Sequence, residues 1–415
     1  MSAHTVLLVG TADTKSEELA FMRAQVLAQG MGVLLMDVGV RAAGDVAVDL
    51  GNDAVARAAG TTLAALAQGG DENAAMTAMA RGASLLAADL HAQGRVDGLL
   101  ALGGTMGTDL ALEVAAALPL GVPKVVVSTV AYSHLVPPER VPPDLIMVLW
   151  AGGLHGLNSL CRSALAQGVG AVTGAVRCAM PPRPGRPVVG MTSLGASCLA
   201  YMLRLKPALE ARGYEVAVFH TTGMGGRAFE ALAEAGRFVA VMDFSLQELA
   251  NHLGGSCVTA GPDRLRGAGR RGVPQIVAPG AVDMVDFPAW QPVPASLAGR
   301  PVHVHNRLIA SATSAAPLRA AIAREIGARL AQARGPACLL LPLGGVEAWD
   351  RPGEALHDPE GLRAFVAAMR AALAPGTRCI ELDAHINDAG FADAALAVLD
   401  AWVEEGVVPR GVPQG

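Results

Sequence analysis

Short apolar runs that end in a small or acidic residue recur along this chain, and each is followed by an alanine-rich segment of helical length. Val6–Val9, Val33–Met36, Gly98–Leu102, Val125–Val127, Val188–Met191, Val216–Phe219, Val239–Met242, Ile276–Ala278 and Cys338–Pro342 are such runs. Strand-then-helix alternation leads to parallel sheets joined by right-handed crossovers. The fold class expected is therefore α/β, with doubly wound, mainly parallel sheets.

A chain of 415 residues is too long for one ordinary core. With 52% apolar and 17% charged residues it is not a disordered chain. Aromatics make up only 4%, so Ala, Val and Leu must build cores of helices packed closely on a sheet. The stretch Pro181-Pro-Arg-Pro-Gly-Arg-Pro187 breaks the alternation and reads as a linker, because proline interrupts both helix and central strand. Two domains follow, residues 1–182 and 187–405. The opening pattern of residues 5–39 (strand, Gly10-Thr11 loop, helix, glycine turn, strand) returns over 187–223. Two related domains or convergence on common βαβ grammar both account for that repeat.

A formal net charge of −5 and the lack of a basic stripe argue against a nucleic-acid partner. No apolar stretch approaches a membrane span, and the start shows no signal-peptide pattern. The six scattered cysteines form no C-x-x-C pair, so reduced thiols and a cytoplasmic location are expected. Cys161, Cys178 and Cys198 read as packing residues. The arginines at 264, 266, 270 and 271 read as a solvated helix face or an attraction for an anion.

In an open parallel sheet, ligands bind beyond the carboxyl ends of the strands. Three N-terminal loops sit at such ends. Gly10-Thr-Ala-Asp-Thr-Lys15 opens a helix, whose first amides favour phosphate. There Thr11 and Thr14 offer hydroxyls, Lys15 a cation, and Asp13 a carboxylate for Mg2+. The second glycine of the G-x-x-x-x-G-K-[ST] motif is missing, since Thr14 stands in its place. The competing reading is a helix cap, with Glu17 closing a capping box on Thr14. Asp37-Val-Gly39 places an acid where dinucleotide folds grip a ribose hydroxyl. Gly103-Gly-Thr-Met-Gly-Thr108 supplies glycines for close backbone approach, and Thr105 and Thr108 as further donors.

The C-terminal half carries denser polar clusters around His220, Asp243, Gly261-Pro-Asp-Arg-Leu265, His305 and Asp383-Ala-His-Ile-Asn-Asp388. His220, Asp243, His305 and His385 are candidate catalytic groups for acid–base or metal-assisted chemistry. Asp383 and His385 share a face if the segment is extended. Caps and turns use the same residue types.

Taken together, GTADTKSEEL (10–19), GGTMGT (103–108), PKVVVST (123–129), FHTTGMGGRAFE (219–230), GPDRL (261–265), PGAVDMVDF (279–287) and DAHINDAGFAD (383–393) resemble the two-domain ATP-binding family named for the tomato mosaic virus resistance protein. The resemblance covers nearly the whole chain. It implies a cytosolic homodimer or higher homo-oligomer of two Rossmann-like domains, with ATP and Mg2+ in the first. Thr11, Asp13, Thr14, Lys15, Asp37, Gly39 and the Gly103–Thr108 loop (Gly103, Gly104, Thr105, Gly107, Thr108) take the nucleotide role where the motif matches. The chain departs from the family's pattern at Ala131-Tyr132-Ser133-His134, where a Gly-Asp pair is usual. Ala151-Gly-Gly153-Leu154 replaces a region with an aspartate, and Arg307-Leu-Ile-Ala310-Ser311 lacks the usual proline and arginine.

Three functions are compatible with these residues. One is a Mg-ATP-binding protein with an unidentified reaction in its second domain or interdomain cleft. Another is a metal-assisted hydrolase or lyase acting on a small oxygenated substrate. The last is a nucleotide-regulated binding protein without catalysis.

Overall fold

In the computed structural model, which describes residues 4–182 and 185–412, each of the nine apolar runs overlaps a strand. The chain divides into two compact units, Met1–Arg183 and Pro184–Gly415. Of the proline-rich stretch, Arg183 and Pro184 lie outside the described residues.

The first unit holds five strands: β1 (Thr5–Gly10), β2 (Gly32–Asp37), β3 (Gly98–Gly103), β4 (Lys124–Ser128) and β5 (Leu145–Leu149). All pair in parallel, in the order β2-β1-β3-β4-β5. Its helices are α1 (Ser16–Ala28), α2 (Asn52–Ala58), α3 (Leu63–Gly69), α4 (Glu72–Ala92), α5 (Thr105–Ala116) and α6 (Ser159–Cys178). Successive strand residues point to opposite faces, and both faces are covered. Val6, Leu8, Leu100 and Leu102 join one core, while Leu7, Val9, Leu99 and Ala101 join the other. Small side chains let helices come close: a Cβ on Gly82 of α4 would stand 2.0 Å from the Val55 carbonyl oxygen.

The second unit has a six-stranded parallel sheet in the order β14-β13-β9-β8-β6-β7. Its strands are β6 (Val188–Ser193), β7 (Glu215–His220), β8 (Ala240–Asp243), β9 (Gln275–Val277), β13 (Ala337–Pro342) and β14 (Arg378–Leu382). The helices are α7 (Ala200–Ala211), α8 (Met224–Glu234), α9 (Gln247–Leu253), α10 (Gly267–Arg271), α11 (Ala316–Ala331), α12 (Pro359–Ala372) and α13 (Ala389–Glu404). Between β9 and α11 the chain adds a small antiparallel sheet of β10 (Met284–Pro288), β11 (Val302–Val304) and β12 (Ile309–Thr313), in the order β10-β12-β11. Nothing in the strand–helix alternation signals that sheet.

Both units therefore begin alike. The first strand of each (β1, β6) pairs with the second on one side (β2, β7) and the third on the other (β3, β8). The point where strand order reverses lies between β1 and β3 in one sheet, and between β6 and β8 in the other.

One departure from the sequence reading is local. All six cysteines are free, yet Cys178 is exposed at the end of α6, whereas Cys161 and Cys198 are buried in cores. Among the described residues, no helix is long and apolar enough to cross a membrane.

Candidate functional sites at the strand-order reversals

In the first unit, the loops after β1, β2 and β3 open onto one cleft of about 410 Å3. Thr11, Asp13, Thr14 and Lys15 line it from the first loop, Gly39 and Arg41 from the second, and Gly103–Gly107 from the third. Helix α1 begins at Ser16 with Lys15 at its N-cap and no side-chain cap, so the capping-box expectation fails. The physical reason is the turn before it. Thr14 and Lys15 both donate their amides to the Thr11 carbonyl, and the Thr11 and Thr14 hydroxyls pair at 2.8 Å. Helix α5 likewise starts after Gly104 without a side-chain cap. Two helix N-termini thus present first-turn amides uncovered by side-chain caps at the cleft.

The acids divide in role. Asp37 is buried beneath the cleft, where its Oδ1 accepts the amides of Ala12 (2.9 Å) and Gly39 (2.8 Å) and ties the first loop to the second. Burial raises its pKa, the two amides work against that rise, and the charge of Asp13 adds to it. Asp13 carries a buried Oδ1 with no hydrogen-bond partner among the described residues. A Cβ on Gly39 would lie 2.8 Å from that oxygen and 3.1 Å from Asp37 Oδ1, so both carboxylates crowd one spot that only glycine leaves open. Thr108 is buried as well, its hydroxyl bonded to Ser128 Oγ at 2.7 Å, and it braces the loop from below. Asp37 and Thr108 therefore shape the cleft rather than line it.

Lys15 lines the cleft, and its Nζ donates to the Leu154 carbonyl at 2.5 Å. Leu154 closes the segment in which the resembled family carries an aspartate. Tyr132, in the other N-terminal departure, holds a left-handed φ of 62° and donates its hydroxyl to the Met147 carbonyl. Arg41 and Glu72 also reach the cleft, and sequence reasoning missed both. Neither sits in a glycine-rich loop: Arg41 follows the β2 loop and Glu72 opens α4.

The four catalytic candidates of the second unit do not converge. Asp243 ends β8 inside a fully buried ion cluster, where Arg264 grips it with both terminal nitrogens. Arg264 also donates to Glu248 (2.9 Å) and Glu230 (2.9 Å), so it is neither a solvated face nor an anion trap. Arg266 and Arg270 do lie nearer the surface, paired with Glu325 and Asp263.

His385 is buried and its ring is fully engaged. Its Nδ1 receives the Asn387 amide (3.0 Å) and faces the Arg351 guanidinium (3.1 Å). The proton is therefore assigned to Nε2, which reaches the Glu347 carbonyl (2.8 Å) and Asp350 (3.0 Å). Its carboxylate partner is Asp350, not Asp383.

His220 and His305 do share a cleft, of about 50 Å3, at the reversal between β6 and β8. Gly195 and Ser197 line it from the β6 loop, Gln247 from the start of α9, and Asp286 and Ser311 from the small antiparallel sheet. The departing segment 307–311 builds part of β12: Ala310 is packed in that sheet's core, and Ser311 donates to Asp286 Oδ1. Burial raises the pKa of Asp286, opposed by hydrogen bonds from Ser311, Asn251 and Gln247. Among the described residues no group of three or more His, Cys, Asp or Glu is placed to hold a metal ion.

Two parallel sheets, each with a cleft where its strand order reverses, make this a doubly wound α/β protein built twice over. The chain belongs to the family described as Uncharacterised protein family (UPF0261), whose N-terminal domain matches residues 4–181 and whose C-terminal domain matches 186–403. A UPF0261 protein of Brucella melitensis is 54% identical, with 99% of each chain covered. One from Clostridium tetani is 32% identical over 96% of this chain and 99% of its own. The ToMV resistance protein Tm-1(GCR237) of Solanum lycopersicum is 30% identical over 74% of this chain, which spans 41% of the tomato protein.

Proposed function

We propose that the N-terminal cleft binds Mg-ATP. The observation that carries this reading is the convergence of three strand-end loops at the β1/β3 reversal on a carboxylate oxygen, Asp13 Oδ1, that is buried and unpaired. An unpaired buried carboxylate oxygen is costly unless a ligand completes it. A cation there would also relieve the repulsion between Asp13 and Asp37.

The donor set fits the group. Mg2+ is commonly held by one or two carboxylates together with substrate phosphates and water, so one protein carboxylate suffices. The first-turn amides of α1 and α5, with Lys15 and Arg41, would receive the phosphates. Bound metal would neutralise part of the phosphate charge. For its part, the chain would position the phosphates through the loop amides and Lys15. Lys15 would exchange the Leu154 carbonyl for a phosphate oxygen.

The test is thermal unfolding of the full chain with and without Mg-ATP. A ligand at a hundredfold excess over Kd stabilises by about 2.7 kcal/mol, which raises the melting temperature measurably. No shift at millimolar Mg-ATP sinks the reading. Product formed during prolonged incubation separates turnover from binding alone.

A further inference from the structure

The cleft of the second unit contains a histidine whose proton position is set by the backbone. His220 closes β7, and the Gly195 amide donates to its Nδ1 at 3.2 Å. Nδ1 must therefore carry a lone pair. Protonating it would set two N–H groups against each other, because imidazolium is a donor at both nitrogens. The neutral ring consequently carries its hydrogen on Nε2. Partial burial and the nearby His305 also hold the ring below the usual histidine range. Among the described residues, Nε2 has no hydrogen-bond partner, and the ring lines the cleft.

The same cleft holds the complementary defect. Gln247 is buried, interacts with Asp286 through its side chain, and leaves Oε1 without a partner among the described residues. One N–H lacks an acceptor and one carbonyl lacks a donor. Leu194, Met284 and Ile309 supply apolar walls, and neither Lys nor Arg lines the space. A phosphate or carboxylate would find no cation there. A volume of about 50 Å3 accommodates the equivalent of about 3–5 water-sized groups.

We propose that this cleft binds a small uncharged hydroxy-carbonyl compound, its carbonyl oxygen accepting from His220 Nε2–H and its hydroxyl donating to Gln247 Oε1. A neutral imidazole in this role polarises the carbonyl without surrendering its proton. Here His220 is an electrophilic donor, not a general base. This reading of the second unit's cleft does not rest on Mg-ATP binding by the first unit.

The probe is hydroxyacetone, titrated into the full chain carrying 15N-histidine, without nucleotide. Acetone, which lacks the hydroxyl, and 1-propanol, which lacks the carbonyl, are the comparison compounds. The free protein is expected to show His220 as the Nε2–H tautomer. Hydroxyacetone is expected to shift that resonance saturably, and to bind at least about tenfold more tightly than either comparison compound. In saturation-transfer measurements on the hydroxyacetone methyl signal, His220→Phe and Gln247→Leu each abolish saturable binding. His220 lies exposed at a strand end, and the comparison of three compounds needs no variant. An Nδ1–H tautomer, equal binding of acetone and hydroxyacetone, or binding undiminished in both variants overturns the proposal. Because the Mg-ATP melting shift is measured separately, failure of one site is distinguishable from failure of the other.

Discussion

Asp243 and Arg264 meet end-on in the interior of the second unit, with Nη1 to Oδ2 at 2.5 Å and Nη2 to Oδ1 at 2.6 Å. The other donor positions of the guanidinium are also used, by Glu248, Glu230 and the Ser245 carbonyl. All five N–H groups are thereby satisfied. Glu230 in turn accepts the amides of Leu265, Arg266 and Gly267, and Glu248 those of Gly223 and Gly226. Burial pushes both glutamates up in pKa and Arg264 opposes it. Removing the arginine strands three buried carboxylates. Arg264→Met is expected to lose about 3–5 kcal/mol of stability, whereas Arg270→Met, at an exposed pair, should stay within about 0.5 kcal/mol. Urea unfolding of both variants measures the contrast. Equal effects would show that the cluster does not hold the unit together.

Asp283 and Glu347 are buried carboxyls that each leave an oxygen without a partner among the described residues. Burial first, and then the charge of Asp283, push Glu347 up to about 10. Burial and the charge of Asp350 push Asp283 up to about 7. A carboxyl with a raised native pKa binds its proton more tightly folded than unfolded. Its contribution is full below the unfolded value near 4.5 and is lost as pH rises toward the native one. Stability should therefore fall from about pH 5 upward, by at most ~1.4 kcal/mol per pH unit for each extra native proton. Glu347→Gln removes one titrating group and keeps an acceptor for the Trp349 amide. Its urea midpoint should vary less between about pH 5 and 9 than that of the parent chain. An unchanged pH dependence would place the titration elsewhere.

Gly39 is the position where the two acids of the N-terminal cleft converge. A methyl there, 2.8 Å from Asp13 Oδ1 and 3.1 Å from Asp37 Oδ1, must move a carboxylate. The displaced groups belong to loops, so the core survives. Gly39→Ala is expected to fold with a loss of about 1–2 kcal/mol and to lose the Mg-ATP melting shift. Retention of the full shift would remove Asp13 from the binding site.

Nine strands were readable from continuous apolar runs, because a sheet buried on both faces leaves a signal at every residue. β5 (Leu145–Leu149), equally apolar but part-exposed at the sheet edge, was missed. β14 (Arg378–Leu382) is broken by the charges of Arg378 and Glu381, and β11 and β12 are short or built from Ala, Ser and Thr, so no run marks them. The loops after β1, β2 and β3 were legible from the strands they follow, whereas Asp286 and Ser311 of the second cleft come from the antiparallel sheet that no run marks. Partners were not. Arg264 reads as one of several nearby arginines, and its burial depends on carboxylates at 230, 243 and 248 that only the fold brings together. His385 pairs with Asp350 across 35 residues of chain, a distance at which a local motif says nothing.

Lys15 and Asp13 occupy one loop but should fail differently. Lys15 Nζ rests on the Leu154 carbonyl, so Lys15→Ala removes that bond, worth about 0.5–1.5 kcal/mol in the free protein. It also removes a cation whose attraction for phosphate does not require metal. Its loss should weaken ATP both with and without Mg2+. Asp13→Asn has the opposite signature. It relieves the repulsion felt by Asp37, so the ligand-free variant should melt no lower than the parent. What it should lose is the added stabilisation that Mg2+ gives over ATP alone. Melting curves for the parent and both variants, with ATP in EDTA and with ATP in Mg2+, separate the two roles. If Asp13→Asn keeps the full Mg2+ increment, the metal is held by phosphates and water, and the buried oxygen of Asp13 answers to something else.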